Sequence, residues 1–240
     1  MKTIGLLGLL LMTMIMACSE DLSEIDNPGN NDDPSLDGVP EGFEECGDLV
    51  DPKEYIVIEP ADAPLATGCD GQEYPNWSTS EYVLPFPVNT AYEVKLSNCG
   101  GSFHAADRPD RYAIDFDMPI GTCITAARAG NVQLIYEQGV DGEDPDQNNV
   151  VIINHGDGTF AQYMHLTLKG SRVSLGQRVE QGDLIGLSGS TGLAGYPHLH
   201  FVVTKVDWRW PYESMPVTFS NTYPNERSLA SNTEYFAFPY

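Results

Sequence analysis

The run Gly195-Tyr196-Pro197-His198-Leu199-His200-Phe201-Val202-Val203 sets two imidazoles two residues apart in an apolar, β-branched stretch. Such a stretch reads as a strand, and residues i and i+2 of a strand project from the same face. His198 and His200 therefore stand side by side on one rigid element. Two buried imidazoles cost desolvation with little packing in return, unless something binds them. A metal ion is the usual reason, alone or with a proton transfer, because imidazole ligates metals and titrates near neutral pH. Taken alone, the pair could equally be structural, and the rest of the chain has to decide.

The chain has five histidines, His104, His155, His165, His198 and His200, all between residues 104 and 200. His104 precedes the polar loop Asp107-Arg108-Pro109-Asp110-Arg111. Next comes Tyr112-Ala113-Ile114-Asp115-Phe116-Asp117. In a strand this segment turns Ile114 and Phe116 one way and Ala113, Asp115 and Asp117 the other. A carboxylate between apolar neighbours needs a partner to hold it there, which makes Asp115 the candidate acid. Asp107 and Asp110 read as rivals in a solvated loop, and Asp117 as a surface charge at the strand end. His165 closes Tyr163-Met164-His165-Leu166, where alternation puts Tyr163 and His165 on one face. His155, before the turn Gly156-Asp157-Gly158, reads as structural.

The elements that must position these side chains are short strands. Tyr55–Ile58, Tyr112–Phe116, Asn131–Tyr136, Val150–Ile153, Phe160–Met164, Leu184–Leu187 and Leu199–Val203 all fit strand composition, and Gly, Asn, Asp and Pro punctuate them. No stretch carries a helical period. The fold expected is all-β, a sandwich or barrel-like pair of sheets. Gly189-Ser190-Thr191-Gly192 lacks the Gly-Lys-Ser/Thr ending of a phosphate loop and reads as a tight loop shaping a groove.

Taken in order, the chemistry-bearing pieces resemble one family. They are His104 with Tyr112-Ala113-Ile114-Asp115-Phe116, Pro119-Ile120-Gly121-Thr122, Ala126-Ala127-Arg128-Ala129-Gly130-Asn131-Val132, and Asn154-His155-Gly156-Asp157-Gly158-Thr159. Then follow Tyr163-Met164-His165-Leu166, Gly176-Gln177-Arg178-Val179, Gly182-Asp183-Leu184-Ile185-Gly186, Ser188-Gly189-Ser190-Thr191-Gly192 and Pro197-His198-Leu199-His200-Phe201. Together they look like the lysostaphin-type (LytM-like) zinc endopeptidases that cut peptidoglycan cross-links. The resemblance implies a two-sheet LytM-type domain (duplicated hybrid motif) over residues 80–206. It also implies one Zn²⁺ ligated by His104, Asp115 and His200, with His198 and His165 beside the open coordination position. His198 would take a proton from water and pass it to the leaving amine, while His165 would hydrogen-bond the water or the developing oxyanion. The alternatives are a non-catalytic LytM-like binder or activator of cell-wall amidases, and an envelope peptidase with another substrate. The chain departs from the pattern in two places. Ten residues separate His104 from Asp115, where many members have a much closer pair, so a loop must bring them together. No helper tyrosine stands in Ser97-Asn98-Cys99-Gly100.

The bulk properties set the context. The 240 residues carry a formal charge of −23, which argues against nucleic acid and against attraction to an anionic membrane surface. The charge is uneven: residues 19–75 hold 17 acids and one lysine, Lys53. Residues 1–17 read as a secretory signal, and Ile15-Met16-Ala17-Cys18 resembles a bacterial lipobox, which implies a lipid anchor on Cys18. Residues 18–45 read as an acidic tether without the apolar surface to order itself. Ser19-Glu20-Asp21 resembles an export signal of surface lipoproteins, and reads equally well as generic linker. Residues 46–79 form an N-terminal extension, and residues 207–240 a C-terminal one that either finishes the sheet or lines the groove. The expected setting is the envelope of a Gram-negative bacterium, as a monomeric outer-membrane lipoprotein, periplasmic or surface-exposed, with peptidoglycan peptides as substrate. Cys46, Cys69, Cys99 and Cys123 then favour disulfides. Pairing within each region gives Cys46–Cys69 and Cys99–Cys123, the second bracing the His104 loop.

Overall fold

Among the described residues, short alternating segments broken by glycine and polar turns form strands rather than long helices. The computed structural model describes residues 68–240. The expected leader, Cys18, the tether, Cys46 and the Tyr55–Ile58 strand lie outside the described residues.

Twelve strands are formed among the described residues: β1 (Ala91–Leu96), β2 (Ile114–Asp117), β3 (Cys123–Thr125), β4 (Gly130–Tyr136), β5 (Val150–Asn154), β6 (Thr159–Met164), β7 (Leu166–Ser171), β8 (Arg178–Val179), β9 (Leu184–Ser188), β10 (His198–Lys205), β11 (Glu213–Ser214) and β12 (Thr233–Phe236). The only helical element there is one 3-10 turn at Trp77–Thr79. Among the described residues no helix is long and apolar enough to cross a membrane. The large sheet runs β12-β1-β2-β10-β6-β5-β4-β8, with β11 paired to β10, and a small sheet runs β3-β9-β7. The fold is all-β with two sheets, as the strand pattern leads one to expect.

The β5–β6 hairpin shows how the local sequence achieves this. Gly156 (φ +83°) and Gly158 (φ +88°) adopt left-handed backbone that residues with a Cβ avoid. Asp157 Oδ1 accepts from the Thr159 amide at 2.9 Å to close the turn. The hairpin lays β6 against β10.

One face of the large sheet makes the main core. Ile114 and Phe116 of β2, Ala161 and Tyr163 of β6, and Leu199, Phe201 and Val203 of β10 all join it. The large aliphatic and phenyl side chains among them each contribute on the order of 1.5–3 kcal/mol by leaving water, and truncating Phe201 to Ala would cost on the order of 3–5 kcal/mol. The alternate residues of the same strands face the other way. That second face carries Asp115, Gln162, Met164, His198, His200 and Val202. His198 to Thr204 are nonetheless all buried, because loops cover this face too.

Residues 207–240 join the large sheet. β11 pairs with β10, β12 pairs with β1 at the sheet edge, and Phe219, Tyr235 and Phe236 enter the core. The segment also lines a groove with Trp208, Trp210 and Tyr212.

The disulfide expectation is corrected. Cys69 is bonded to Cys99, across 30 positions. This excludes both Cys46–Cys69 and Cys99–Cys123, and Cys123 is itself disulfide-bonded. The bond ties the segment before β1 to the loop between β1 and β2. Locality in sequence misleads here because closing a longer loop adds little entropy.

Candidate metal centre

Strand register builds half of the site. On β10 and β2, His200 stands directly opposite Asp115. Opposed residues in an antiparallel pair have Cβ atoms ~5 Å apart, close enough for an imidazole and a carboxylate to meet. His200 Nδ1 lies 2.9 Å from Asp115 Oδ1.

The third group arrives from a loop. β1 ends at Leu96, opposite Asp115, and the chain leaves the sheet and returns at β2. The Cys99 amide donates to the Arg111 carbonyl at 2.7 Å, and Asn98 Nδ2 donates to the carbonyls of Tyr112 and Ala113. These bonds, with the Cys69–Cys99 disulfide, close the excursion between Leu96 and Ile114. A turn at Gly101 and Ser102 then sends fully buried His104 inward. His104 Nε2 sits 3.3 Å from Asp115 Oδ1 and 3.4 Å from His200 Nδ1.

Three donor atoms thus form a triangle with edges of 2.9, 3.3 and 3.4 Å. Zinc holds nitrogen and oxygen ligands at about 2.0–2.2 Å in a tetrahedron, whose edges are then ~3.3–3.5 Å. Two imidazoles and one carboxylate at this spacing could hold a metal ion such as zinc. A second group, His165, His198 and His200, also brings its donors within 4.8 Å of one another. It shares His200 with the first and supplies no carboxylate.

His165 and His198 stand beside the triangle, with ring centroids 4.6 Å apart. Each gives Nδ1 to a backbone carbonyl at 2.7 Å, His165 to Thr191 and His198 to Tyr196. A carbonyl only accepts, so Nδ1 carries the proton and Nε2 of the neutral ring keeps its lone pair. Burial holds both rings below the ordinary histidine range, His165 to about 3, with positive neighbours adding to the effect there. His198 Nε2 lies 3.8 Å from Asp115 Oδ1, and the Tyr196 ring stacks on His198 with centroids 4.5 Å apart.

His200 is treated in the opposite way. Burial pushes it down, but Asp110 and Asp115 outweigh burial and raise it to about 10. Asp115 suffers burial in the other sense, and its contacts with His104 and His200 hold it well below the usual carboxylate range.

The loop that carries Thr191 is braced. Thr191 Oγ1 donates to the Leu166 carbonyl at 2.7 Å and accepts from the Asn149 amide at 3.1 Å. Residues 189–192 are not among those lining the pocket, and bear on it through the Thr191 carbonyl that holds His165.

The structure brings His104, Asp115, His165, His198 and His200 into one pocket of about 340 Å³. His155 lies elsewhere, with Nδ1 on the Ala129 carbonyl at 2.9 Å and its ring edge-on to Tyr82. Asp117 is half-exposed beside Lys95 at 3.3 Å. Two local expectations fail. Tyr163 and His165 do not share a face: Tyr163 is in the core, whereas left-handed backbone at His165 (φ +64°) turns its ring into the pocket. The Asn148 side chain holds that kink by accepting from the His165 amide at 2.9 Å. Asp110 is not a solvated loop acid either. It is largely buried, bonded by the Tyr212 hydroxyl, and 3.5 Å from His200 Nε2. Sequence reading missed Asp110, Tyr196 and Tyr212 as members of the site. Only the position of Asp110 five residues before Asp115 could have pointed to one of them.

The two-sheet β domain thus gathers two histidines and an aspartate that could hold a metal ion, flanked by two further histidines. Residues 110–211 match Peptidase family M23. The match begins after His104. Curated relatives include the peptidoglycan DD-endopeptidase ShyA of Vibrio cholerae, 39% identical over 87 residues, covering 36% of this chain and 18% of that protein. The glycyl-glycine endopeptidase ALE-1 of Staphylococcus capitis is 32% identical over 126 residues, covering 51% of this chain and 33% of that one. The chain thus spans a third or less of the length of these relatives. Among solved structures, lysostaphin from Staphylococcus simulans aligns with a TM-score of 0.40 and 28% identity, covering 49% of this chain and 44% of that one.

Proposed function

We propose that this protein is a zinc-dependent endopeptidase that hydrolyses peptide cross-links of bacterial peptidoglycan. The observation that carries the reading is the donor triangle of His104, Asp115 and His200 with two neutral imidazoles facing it. The relatives named for peptidoglycan and glycyl-glycine cleavage support the substrate class.

His104 Nε2, Asp115 Oδ1 and His200 Nδ1 would hold the ion. Zinc bound there supplies Lewis acidity, bringing the pKa of water toward ~7 and polarising the scissile carbonyl. The chain's own residues do the rest. His198, neutral with Nε2 unprotonated, accepts the proton of the attacking water and returns it to the leaving amine. The Tyr196 carbonyl fixes its tautomer throughout. His165 Nε2 has a lone pair and no proton, so it accepts a hydrogen bond from the water and orients it. That same tautomer cannot donate to an oxyanion while the ring is neutral, which selects the water between the two roles the family resemblance offers. Asp115 contributes one negative charge, leaving a zinc-loaded site net positive toward a carbonyl.

Cys18 would anchor the protein to the envelope, with residues 18–45 as the tether. The test is digestion of purified peptidoglycan by the full chain, with new peptide ends read by mass spectrometry. Cleavage that a chelator abolishes and zinc restores is the expected result. A zinc-loaded protein that releases no peptide ends, while a known endopeptidase does so on the same material, would overturn the reading.

A further inference from the structure

We propose that Asp110, held by the Tyr212 hydroxyl, is a positioning residue that accepts a hydrogen bond from His200 Nε2–H and so aims His200 Nδ1 at the metal position. The inference rests on the zinc reading above, because it concerns how one proposed ligand is oriented.

His200 has two ring nitrogens in different surroundings. Nδ1 belongs to the donor triangle. If Nδ1 ligates, the neutral ring must carry its proton on Nε2. That nitrogen is fully buried and makes no hydrogen bond of ordinary geometry. Asp110 Oδ1 lies 3.5 Å from it and is placed to accept. A carboxylate behind a metal-bound imidazole fixes the tautomer and ring orientation and strengthens the ligand.

Asp110 is itself fixed, which distinguishes it from a loop acid that wanders near the site. The Tyr212 hydroxyl donates to its Oδ1. Its backbone carbonyl accepts from the Ala113 amide at 2.8 Å. The Tyr212 ring is buried against Ala113 and Val202. Next to it, Ser214 Oγ donates to the Pro109 carbonyl, and β11 is laced to β10 through Thr204 and Ser214. The C-terminal segment therefore reaches back over the sheet and sets the carboxylate behind the proposed ligand. Tyr212 lies one residue beyond the M23 match, and Asp110 is its first residue. The pair thus joins the domain to the segment that follows it.

The experiment is zinc affinity by chelator competition on the full chain and on Asp110→Ala, Asp110→Asn and Tyr212→Phe. Thermal unfolding of each metal-free form and the ¹⁵N shifts of the His200 ring in the zinc-loaded form are measured alongside. Loss of such a carboxylate costs roughly 10–100-fold in metal affinity, so Asp110→Ala should weaken zinc by about that factor. Asn can still accept from Nε2–H, so Asp110→Asn should recover part of the loss. Tyr212→Phe, which removes only a hydroxyl, should lose less than Asp110→Ala. In the native protein the ¹⁵N shifts should report a proton on Nε2 and metal on Nδ1. A folded Asp110→Ala that binds zinc as tightly as the native chain overturns the proposal and leaves the zinc reading standing. A native chain that binds no zinc overturns the zinc reading itself. If Asp110→Ala does not fold, Asp110→Asn and Tyr212→Phe carry the test, and native affinity in both overturns the proposal.

Discussion

His200 on one side of the pocket meets carboxylates, Asp115 at Nδ1 and Asp110 toward Nε2. His165 and His198 on the other side meet backbone carbonyls at Nδ1. Residue type and burial are the same for all three, yet the first is raised to about 10 and the other two are lowered. Carboxylates stabilise a charged imidazole, and once one proton is displaced they make the freed ring nitrogen a stronger donor to a cation. Carbonyls fix a tautomer without supplying a full charge, and burial then keeps the ring neutral with a lone pair to offer. On the proposed function, the partner set divides one cluster into a half that would hold the metal and a half that would move the proton.

The division can be broken from either half. Removing a ligand should have the largest effect. His200→Ala or His104→Ala should abolish cleavage and weaken zinc by more than the roughly 10–100-fold that loss of a ligand's hydrogen-bonding neighbour costs. Chelator competition reads this directly. His198→Gln should lower kcat by about 10²–10⁴-fold, the range for a general base, with zinc affinity near native. If zinc falls together with kcat, the two halves are not separate.

The loop that delivers His104 supplies the next test. Cys69→Ser with Cys99→Ser opens the bond across 30 positions and should destabilise the fold by about 3–4 kcal/mol in chemical unfolding, by loop-closure entropy. Zinc affinity should fall with it, because His104 is the proposed ligand that does not stand on a strand.

Proton competition sharpens the contrast at the metal-holding half. With His200 raised to about 10, the metal-free fold keeps its proton at neutral pH. That contribution to stability is complete below the unfolded value of about 6.5 and is lost as pH rises through about 10. Asp115, depressed in the fold, contributes above its ordinary value of 3.8 and loses that contribution as pH falls. Zinc must displace the His200 proton, so apparent affinity should rise about tenfold per pH unit from 7 to 9, with about one proton released per ion. Calorimetry in buffers of different ionisation enthalpy measures the release. The smallest effect belongs to His155, outside the pocket: His155→Gln should leave kcat/KM within about twofold, as expected for a side chain that touches no reacting group.

How much of this is legible in the chain alone follows from distance. The His198–His200 pair and Asp115 can be read because strand alternation fixes which face each side chain takes, and that face is a local property. The strands β2, β4, β5, β6, β9 and β10 are legible for the same reason. β8 and β11 span two residues each, and β7 contains Lys169 and Gly170, so composition hides them. His104 was identifiable as a residue, but its route to Asp115 depends on loop bonds and a disulfide with Cys69. Asp110 and Tyr212 were not legible together, because 102 positions separate them and only the folded C-terminal segment joins them. His165 lay in view, yet the left-handed turn that aims it cannot be read from alternation.

The central claim is that His200 holds the metal while His198 moves the proton. Zinc stoichiometry, measured on the native chain, His198→Gln and His200→Ala after identical loading and desalting, tests it most directly. One ion per chain in the native and His198→Gln proteins and none in His200→Ala is the result expected. Metal lost from His198→Gln, or retained in full by His200→Ala, would contradict it.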